Sequence, residues 1–275
     1  MHKEFCGYVS IIGKPNVGKS TILNAFLEKK VSITSRKSQT TRNNILGVKT
    51  KGNKQMIFID TPGMHVKSQK TMNKILNKSA QSIIEDSDIV LFVLQRLSLD
   101  KDDELILEKL KGKDLKVICV INKIDQIEDK NKLLPYIEKI SSIYDFLEVL
   151  LISAKTNDGV DDLMNIIEDN LPENSHIYDD NFSLVDKDKK FIFSELIREK
   201  IIRKLGDELP HDTFVQIDMI EDKADITEVH STIYVNRNSQ KQIVIGSGGD
   251  VLKKIGQEAR KEMEKELNKK VFLKT

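Results

Sequence analysis

Eight residues near the start of the chain, Gly13 to Ser20, limit the choice of fold more than any other segment. They match the pattern G-x-x-x-x-G-K-[ST], and they lie between an apolar run, Phe5 to Ile12, and a segment with helical periodicity, Gly18 to Lys29. The glycines let backbone N–H groups wrap a phosphate, Lys19 supplies a positive charge, and the Ser20 hydroxyl suits Mg²⁺. The segment predicts a nucleoside triphosphate site, but it decides neither the base nor the reaction.

The first 172 residues alternate strand-like and helix-like segments. Continuous apolar runs are typical of parallel strands buried on both faces, and they occur at 5–12, 88–94, 115–121 and 147–152. Two further strands, 45–48 and 55–59, flank a turn at 51–53, and helical spacing occurs at 72–84, 102–110 and 160–167. The alternation predicts a doubly wound α/β domain with a mostly parallel sheet.

The pattern changes after Pro172. Residues 173–190 are polar and charged, which predicts a linker between a first domain, 1–172, and a second domain, 191–275. The second domain is predicted to contain a helix at 193–205, strands at 213–220 and 227–235, a short helix at 240–245, a long helix at 250–267 and a strand at 270–273. The order is that of a smaller α+β domain of the type II KH arrangement.

Composition narrows the class of protein. The 275 residues include 44 basic and 43 acidic side chains, so the net charge of +1 excludes a uniformly basic nucleic-acid coat but not a local basic patch. No apolar run approaches the roughly 18 residues of a membrane span, and the start of the chain lacks a signal-peptide pattern. Cys6 and Cys119 lie in buried-strand patterns and predict reduced core thiols. We expect a soluble, intracellular protein.

Three short segments after the phosphate loop indicate which nucleotide is bound. Asp60-Thr61-Pro62-Gly63 ends a strand, where a carboxylate can hold Mg²⁺ through water and a glycine N–H can reach the γ-phosphate. Asn122-Lys123-Ile124-Asp125 and Ser153-Ala154-Lys155 end the next two buried strands. The Asp125 carboxylate can accept two N–H donors, which guanine offers and adenine does not. The order of the segments predicts GTP.

In this order the four motifs resemble the translation-factor-related GTPases, and the whole chain, from Gly7 to Leu273, resembles their bacterial ribosome-assembly members with a C-terminal KH domain. Three stretches carry the narrower match: the first switch segment at 34–42, the junction at 198–200 with 208–211, and the loop at 244–249.

The resemblance implies that the first domain is an α/β P-loop NTPase domain of the Ras-like type. It also implies GTP/GDP and Mg²⁺ as the bound groups. It implies catalytic roles for Lys19, Thr40 and Gly63, and magnesium ligation by Ser20, Thr40 and Asp60, with Thr41 as the alternative to Thr40. The expected nucleotide-binding residues are Gly13, Lys14, Pro15, Asn16, Val17, Gly18, Lys19, Ser20, Thr21, Asp60, Thr61, Pro62, Gly63, Asn122, Lys123, Asp125, Ser153, Ala154 and Lys155.

Two positions bear on the rate of hydrolysis. Met64 stands where many small GTPases have a glutamine that orients the attacking water, so we expect slow intrinsic turnover. Asn16 corresponds to a position that coordinates K⁺ in some relatives, where the cation can take the place of an arginine finger. Whether Asn16 binds K⁺ or only stabilises the turn is left open.

Gly246-Ser247-Gly248-Gly249 fits the G-x-x-G loop with which a KH domain clamps single-stranded nucleotides. The chain from 237 to 275 holds ten basic and five acidic residues, so its net charge is +5. We therefore predict RNA binding by Gly246, Ser247, Gly248, Gly249, Lys253 and Lys254. Ser247 departs from the basic residue common inside this loop, and Lys253 and Lys254 are the candidates to compensate.

The resemblance implies a GTP-hydrolysing switch that binds small-subunit (16S) rRNA and acts in assembly of the 30S ribosomal subunit. It also implies a cytoplasmic monomer, with peripheral association at the inner face of the cell membrane left open. The alternative is an RNA chaperone in which nucleotide only gates RNA binding and GTP turnover is incidental.

Overall fold

The computed structural model describes residues 3–28, 45–60, 84, 86–179, 189–205 and 213–275. The chain divides into two compact units, whose described parts are residues 3–179 and 189–275. Each unit has its own sheet, and each is described by itself below.

The first unit alternates strands and helices as the sequence predicts. Its elements, within the described residues, are β1 (Phe5–Ile12), α1 (Lys19–Leu27), β2 (Ile45–Lys51), β3 (Lys54–Asp60), β4 (Ile89–Gln95), α2 (Lys101–Glu108), β5 (Lys116–Asn122), α3 (Leu133–Ser141), β6 (Glu148–Leu151) and α4 (Val160–Asp169). Helix α3 was not predicted, because its third residue is Pro135 and the residues before it, 128–132, are charged or polar. Proline is well tolerated in a first helical turn, where it removes no intrahelical hydrogen bond.

The six strands form one sheet in the order β2-β3-β1-β4-β5-β6. Only β2 runs antiparallel, as the partner of β3 across the turn at Gly52, and the other pairs are parallel. The central strands are buried almost throughout: β4 is buried from Ile89 to Leu94, and β5 from Val117 to Asn122. The predicted mostly parallel sheet is confirmed.

The segment after α4 continues along the first unit. Glu173 pairs with Phe5 in an antiparallel bridge. The buried Gln55 side chain on β3 accepts hydrogen bonds from the backbone N–H groups of Ile177 (2.9 Å) and Tyr178 (3.0 Å) and donates to the Tyr178 carbonyl (2.8 Å). The first residues of the predicted linker are therefore held against the first unit.

The second unit has the predicted α-β-β-α-α-β order. Its elements are α5 (Lys189–Lys204), β7 (Thr213–Asp222), β8 (Ile226–Val235), α6 (Asn238–Ile245), α7 (Asp250–Leu267) and β9 (Lys270–Lys274). Strand β8 is central, antiparallel to β7 and parallel to β9. Helix α5 begins four residues earlier than predicted, so Lys189 and Lys190 are helical and not linker. Both are exposed, and lysine is a good helix former on an exposed face.

One face of the second sheet is covered by helices. Residues alternate along β7, with Thr213, Val215 and Ile217 buried and the residues between them exposed, as expected for a strand with one covered face. On α7 the buried residues Ile255, Ala259 and Met263 repeat every four residues and form one apolar stripe. Among the described residues, no helix is long and apolar enough to cross a membrane.

Candidate functional site

The predicted nucleotide-binding segments meet at one edge of the first sheet. Parallel strands bring their carboxyl ends to the same edge, and the segment 13–20 follows β1, Asp60 ends β3, Asn122 ends β5, and Ser153 follows β6. Strand β1 lies between β3 and β4, so the connections on its two sides diverge there. A crevice at such a point is the usual ligand site of an open parallel sheet.

The phosphate loop is packed tightly against the protein around it. Gly13 and Gly18 have φ values of 145° and 108°, in the region that favours glycine. A Cβ atom on Gly13 would lie 2.5 Å from the Val93 carbonyl oxygen, and one on Gly18 would lie 2.1 Å from Asn122 Nδ2. Helix α1 starts directly after Gly18, which directs the first N–H groups of a helix towards the loop.

Lys19 is buried within the loop that it serves. Its exposed fraction is 6%, and its ammonium group donates to the carbonyl oxygens of Gly13 (3.1 Å) and Lys14 (2.9 Å). The positive charge is thereby held at the centre of the loop, where it is positioned for an outer phosphate of a nucleotide.

Asn122 joins three of the predicted segments. Its side-chain amide donates to the Val17 carbonyl (2.9 Å), and its side-chain oxygen accepts from the Ala154 N–H (3.1 Å). The residue is 2% exposed, so both contacts are shielded from water. The Ala154 N–H is therefore engaged by Asn122, and a bound base could use this donor only by sharing or exchanging that hydrogen bond.

Lys123 extends from the end of β5 to the phosphate loop. Its ammonium group donates to the Asn16 carbonyl and to Gln95 Oε1, the latter at 2.8 Å. Burial, and then the nearby positive charge of Arg96, lower the pKa of Lys123. The side chain connects the base-reading segment to the phosphate loop.

Asp125 is held by the next motif. Its carboxylate accepts a hydrogen bond from the Ser153 hydroxyl at 2.8 Å, while the side chain is exposed at the edge of the sheet. Ser153 itself is buried, and the following Lys155 is exposed. A fixed, accessible acceptor is what recognition of the two guanine N–H donors requires.

The residues present fit a nucleotide and its magnesium ion. Lys19 lies inside the loop, where two carbonyl oxygens hold its charge, and the Ser20 hydroxyl is a hard oxygen ligand in the first turn of α1. Asp60 lies at the end of β3, at the same edge of the sheet.

Several predicted positions lie outside the described residues. They are Thr40, Thr41, Thr61, Pro62, Gly63 and Met64, together with the switch segment 34–42, residues 72–83 of the helix predicted at 72–84, and the junction residues 208–211.

The predicted RNA-binding loop lies between α6 and α7 in the second unit. Gly246, Gly248 and Gly249 have φ values of 75°, 59° and 82°. A Cβ on Gly248 or Gly249 would meet nothing within 4 Å, whereas one on Gly246 would lie 2.4 Å from the Asp250 and Val251 side chains. Lys253 and Lys254 are both exposed in the first turn of α7. The loop thus offers open backbone and positive charge beside a helix N-terminus.

The sequence did not predict three residues that contact the lysines of the nucleotide site without belonging to its motifs. Gln95 contacts Lys123, and Asp100 and Asp103 both contact Lys14. The signal available for the last two is the D-x-x-D spacing before a helix, which is typical of a capping box.

Family comparisons agree with both units. A family described as 50S ribosome-binding GTPase matches residues 8–123, and a KH domain family matches residues 208–275. The fold and the site therefore define a P-loop GTPase that carries a KH domain.

The similarity to individual proteins is more specific. The chain is 43% identical to GTPase Era of Ectopseudomonas mendocina, over 98% of this chain and 89% of that protein, and 42% identical to GTPase Era of Haemophilus influenzae, over 98% and 90%. Two solved Era structures resemble it: an Aquifex aeolicus variant bound to GDP and AlF₄⁻ (TM-score 0.91, 34% identity), and Era with MgGDPNP and nucleotides 1506–1542 of 16S ribosomal RNA (TM-score 0.90, 35% identity). Both matches cover 98% of this chain and 92% of the other. The chain belongs to the Era family of GTPases.

Proposed function

We propose that this chain binds GTP with Mg²⁺, hydrolyses it to GDP and phosphate, and binds small-subunit 16S rRNA during assembly of the 30S subunit. The observation that carries the proposal is the similarity, over 98% of the chain and through both units, to Era in its complex with MgGDPNP and 16S rRNA nucleotides. The geometry at the edge of the first sheet supports the nucleotide part, and the open glycine loop supports the RNA part.

The proposed roles of the nucleotide-binding residues follow from their positions. The loop from Gly13 to Thr21 binds the phosphates through its backbone, with Lys19 placing its charge beside them. Asp125, oriented by Ser153, reads the guanine, while Asn122 and Lys123 hold the base-reading segments to the loop. This arrangement excludes adenine because a carboxylate acceptor would then be left without its donors.

Hydrolysis is assigned to residues around the γ-phosphate. Ser20, Thr40 and Asp60 are the proposed Mg²⁺ ligands, and the ion would neutralise charge that develops on the phosphate oxygens. Lys19, Thr40 and Gly63 are the proposed catalytic groups. Met64 has no polar group with which to orient water, which is consistent with slow turnover.

The role of K⁺ is a separate question at Asn16. This residue is exposed, has a φ of 66°, and its carbonyl accepts from Lys123. Both proposed roles, K⁺ ligand and turn former, fit that conformation. GTP turnover in K⁺ and in Na⁺ at equal ionic strength separates them, since only a K⁺ ligand makes the rate depend on which cation is present.

The second unit is the proposed RNA-binding part. Single-stranded RNA would approach the open backbone at Gly248 and Gly249, with phosphates near Lys253 and Lys254. We propose a first domain that extends past the predicted boundary at 172 to include the segment held by Gln55, and a second domain that begins with α5 at Lys189 and not at 191. We also propose a monomeric state and a cytoplasmic location. Peripheral association with the inner face of the cell membrane stays a prediction of the resemblance.

The alternative function, a nucleotide-gated RNA chaperone, makes a different prediction for turnover. GTP hydrolysis is measured with and without 30S particles, using 50S particles as the matched control. A switch that acts on the small subunit predicts turnover stimulated by 30S particles alone. Turnover unchanged by 30S particles, with RNA binding that still depends on nucleotide, would favour the chaperone.

A further inference from the structure

The side chain of Lys14 does not face the phosphate site. It leaves the second position of the phosphate loop and lies between two carboxylates, 2.5 Å from Asp100 Oδ2 and 2.8 Å from Asp103 Oδ2. Burial alone would lower the pKa of Lys14, but hydrogen bonds to Asp100 and Asp103 outweigh it and raise the pKa. The lysine is therefore charged, and the carboxylates of Asp100 and Asp103 balance its charge.

The two carboxylates are themselves fixed by the start of α2. Asp100 Oδ1 accepts from the N–H groups of Asp102 (2.9 Å) and Asp103 (3.3 Å), and Asp103 Oδ2 accepts from the Asp100 N–H (3.1 Å). This reciprocal arrangement is a capping box, which orders the first turn of a helix. Asp103 therefore presents its carboxylate to Lys14 from a rigid element.

Lys14 is held at both of its ends. Its ammonium group binds the carboxylates of α2, and its carbonyl oxygen accepts from Lys19 Nζ at 2.9 Å. The preceding Gly13 carbonyl accepts from the same lysine at 3.1 Å. Any rotation of the loop at Lys14 would disturb the grip on Lys19, the residue proposed to meet the outer phosphates.

Burial of the Asp103 carboxylate costs free energy. It is fully buried, burial raises its pKa, and within the described structure its Oδ1 atom has no hydrogen-bond partner. A buried ion pair is commonly no more stabilising than apolar residues of similar volume. Stability alone therefore gives weak reason for this carboxylate, whereas control of the loop gives a specific one.

We propose that Asp103 is a positioning residue for nucleotide binding: through its ion pair with Lys14 it holds the Gly13–Asn16 half of the phosphate loop in the shape that grips Lys19. This inference rests on the proposed nucleotide site. It assigns a role in the first unit to a residue outside the predicted nucleotide-binding and metal-binding sets.

The test uses the full chain and four variants. Asp103→Asn keeps the size of the side chain and a cap acceptor but removes the charge, Lys14→Met keeps the length of the lysine, and the double variant combines them. Glu104→Gln, an exposed carboxylate one residue along α2, is the matched control for charge. Kd for GTP and GDP is measured by calorimetry, kcat and KM by phosphate release, and stability by thermal unfolding.

We expect Asp103→Asn and Lys14→Met each to weaken GTP and GDP binding about tenfold, the effect of losing one charged hydrogen bond. KM should rise with kcat within about twofold, because the loop shape serves substrate and transition state alike. The double variant should bind GTP and GDP as tightly as the single variant with the lower affinity, because both changes break the same ion pair. Glu104→Gln should bind as the parent does.

Three results would overturn the inference. They are parent-like Kd values in folded Asp103→Asn, a double variant whose losses add in full, and a loss in Lys14→Met alone, which would mean that Lys14 contacts phosphate directly. If Asp103→Asn does not fold, the double variant decides, because it removes both charges together and leaves no unpaired buried carboxylate. A raised KM with kcat preserved in the folded double variant supports the inference, and a parent-like KM contradicts it. Failure of the parent protein itself to bind GTP would contradict the proposed function and not the ion pair.

Discussion

The chain contains two glycine-rich loops that look alike in sequence and differ in structure. Gly13–Ser20 leads into α1, and Gly246–Gly249 leads into α7, each through a left-handed glycine, Gly18 at φ 108° and Gly249 at φ 82°. In the first loop, a Cβ on Gly18 would lie 2.1 Å from the Asn122 side chain. In the second loop, a Cβ on Gly248 or Gly249 would meet nothing within 4 Å.

The difference shows that glycine serves two purposes here. In the phosphate loop it allows other parts of the protein, the Val93 carbonyl and Asn122, to pack against the backbone and hold its shape. At Gly248 and Gly249 of the second loop the space beside the backbone is left open, so the close approach that glycine permits is available to a partner. Substitution in the first loop should disturb the protein itself, and substitution in the second should disturb binding.

The largest effect is expected for Gly18→Ala. The new methyl group would displace Asn122, which joins Val17 to Ala154, and alanine is strained at this φ. Backbone strain of about 1–3 kcal/mol adds to the loss of buried hydrogen bonds, so GTP affinity should fall at least about a hundredfold by calorimetry. Gly249→Ala, with a similar φ but open space, is the matched control and should leave GTP binding unchanged. Equal GTP affinity in Gly18→Ala and the parent would contradict the conclusion that Gly18 is needed for Asn122 to pack against the phosphate loop.

A smaller effect is expected for Asp125→Asn, which keeps the shape of the first site and changes its chemistry. The amide replaces one acceptor with a donor, so GTP binding should weaken by about 1–3 kcal/mol and xanthosine triphosphate binding should strengthen. Ser153→Ala, which removes the hydroxyl that orients Asp125, should weaken GTP binding without improving xanthosine triphosphate binding. Calorimetry with GTP and with xanthosine triphosphate measures the two changes in affinity. Unchanged GTP affinity in Asp125→Asn would contradict its proposed role.

The second loop is tested by Gly248→Asp. Its side chain would enter the open space with a negative charge, so single-stranded RNA should bind about tenfold more weakly or worse, while GTP affinity is retained. Gly248→Ala adds the backbone cost of a left-handed alanine, about 1 kcal/mol, without the charge, and should weaken RNA binding less. Fluorescence anisotropy on a short RNA measures both variants. RNA binding by Gly248→Asp at parent affinity would mean that this loop is only a turn between helices.

The comparison of loops also explains what sequence can predict. The buried strands, the helix 250–267 and the α-β-β-α-α-β order were predictable because each depends on local periodicity and glycine position. The contacts that hold the sites were not, since they join residues far apart in the chain. Asn122 and Val17 are 105 positions apart, and Lys14 and Asp100 are 86 positions apart.

Side-chain direction was the second limit. The motif places Lys14 in the phosphate loop, but only the structure shows that its ammonium group turns away towards α2. The motif also places Lys123 at the end of β5, but only the structure shows that its ammonium group contacts the Asn16 carbonyl and Gln95. The motif specifies the backbone of the loop, whereas rotamers depend on partners that the motif does not contain.

The smallest effect is expected at a glycine that neither packs against the rest of the protein nor lies in a binding loop. Gly256 lies inside α7, lacks the positive φ of the loop glycines, and a Cβ there would meet nothing within 4 Å. Because glycine in a helix interior is less favourable than alanine by about 0.8–1.0 kcal/mol, Gly256→Ala should raise the free energy of unfolding by up to about that amount. Thermal and urea unfolding measure the gain, with GTP affinity as the control that must not change. If Gly256→Ala is stable but binds RNA more weakly, the helix face at Gly256 belongs to the RNA-binding surface. Open space beside a glycine would then indicate a contact with RNA in α7, as we propose for Gly248 and Gly249 in the loop before it.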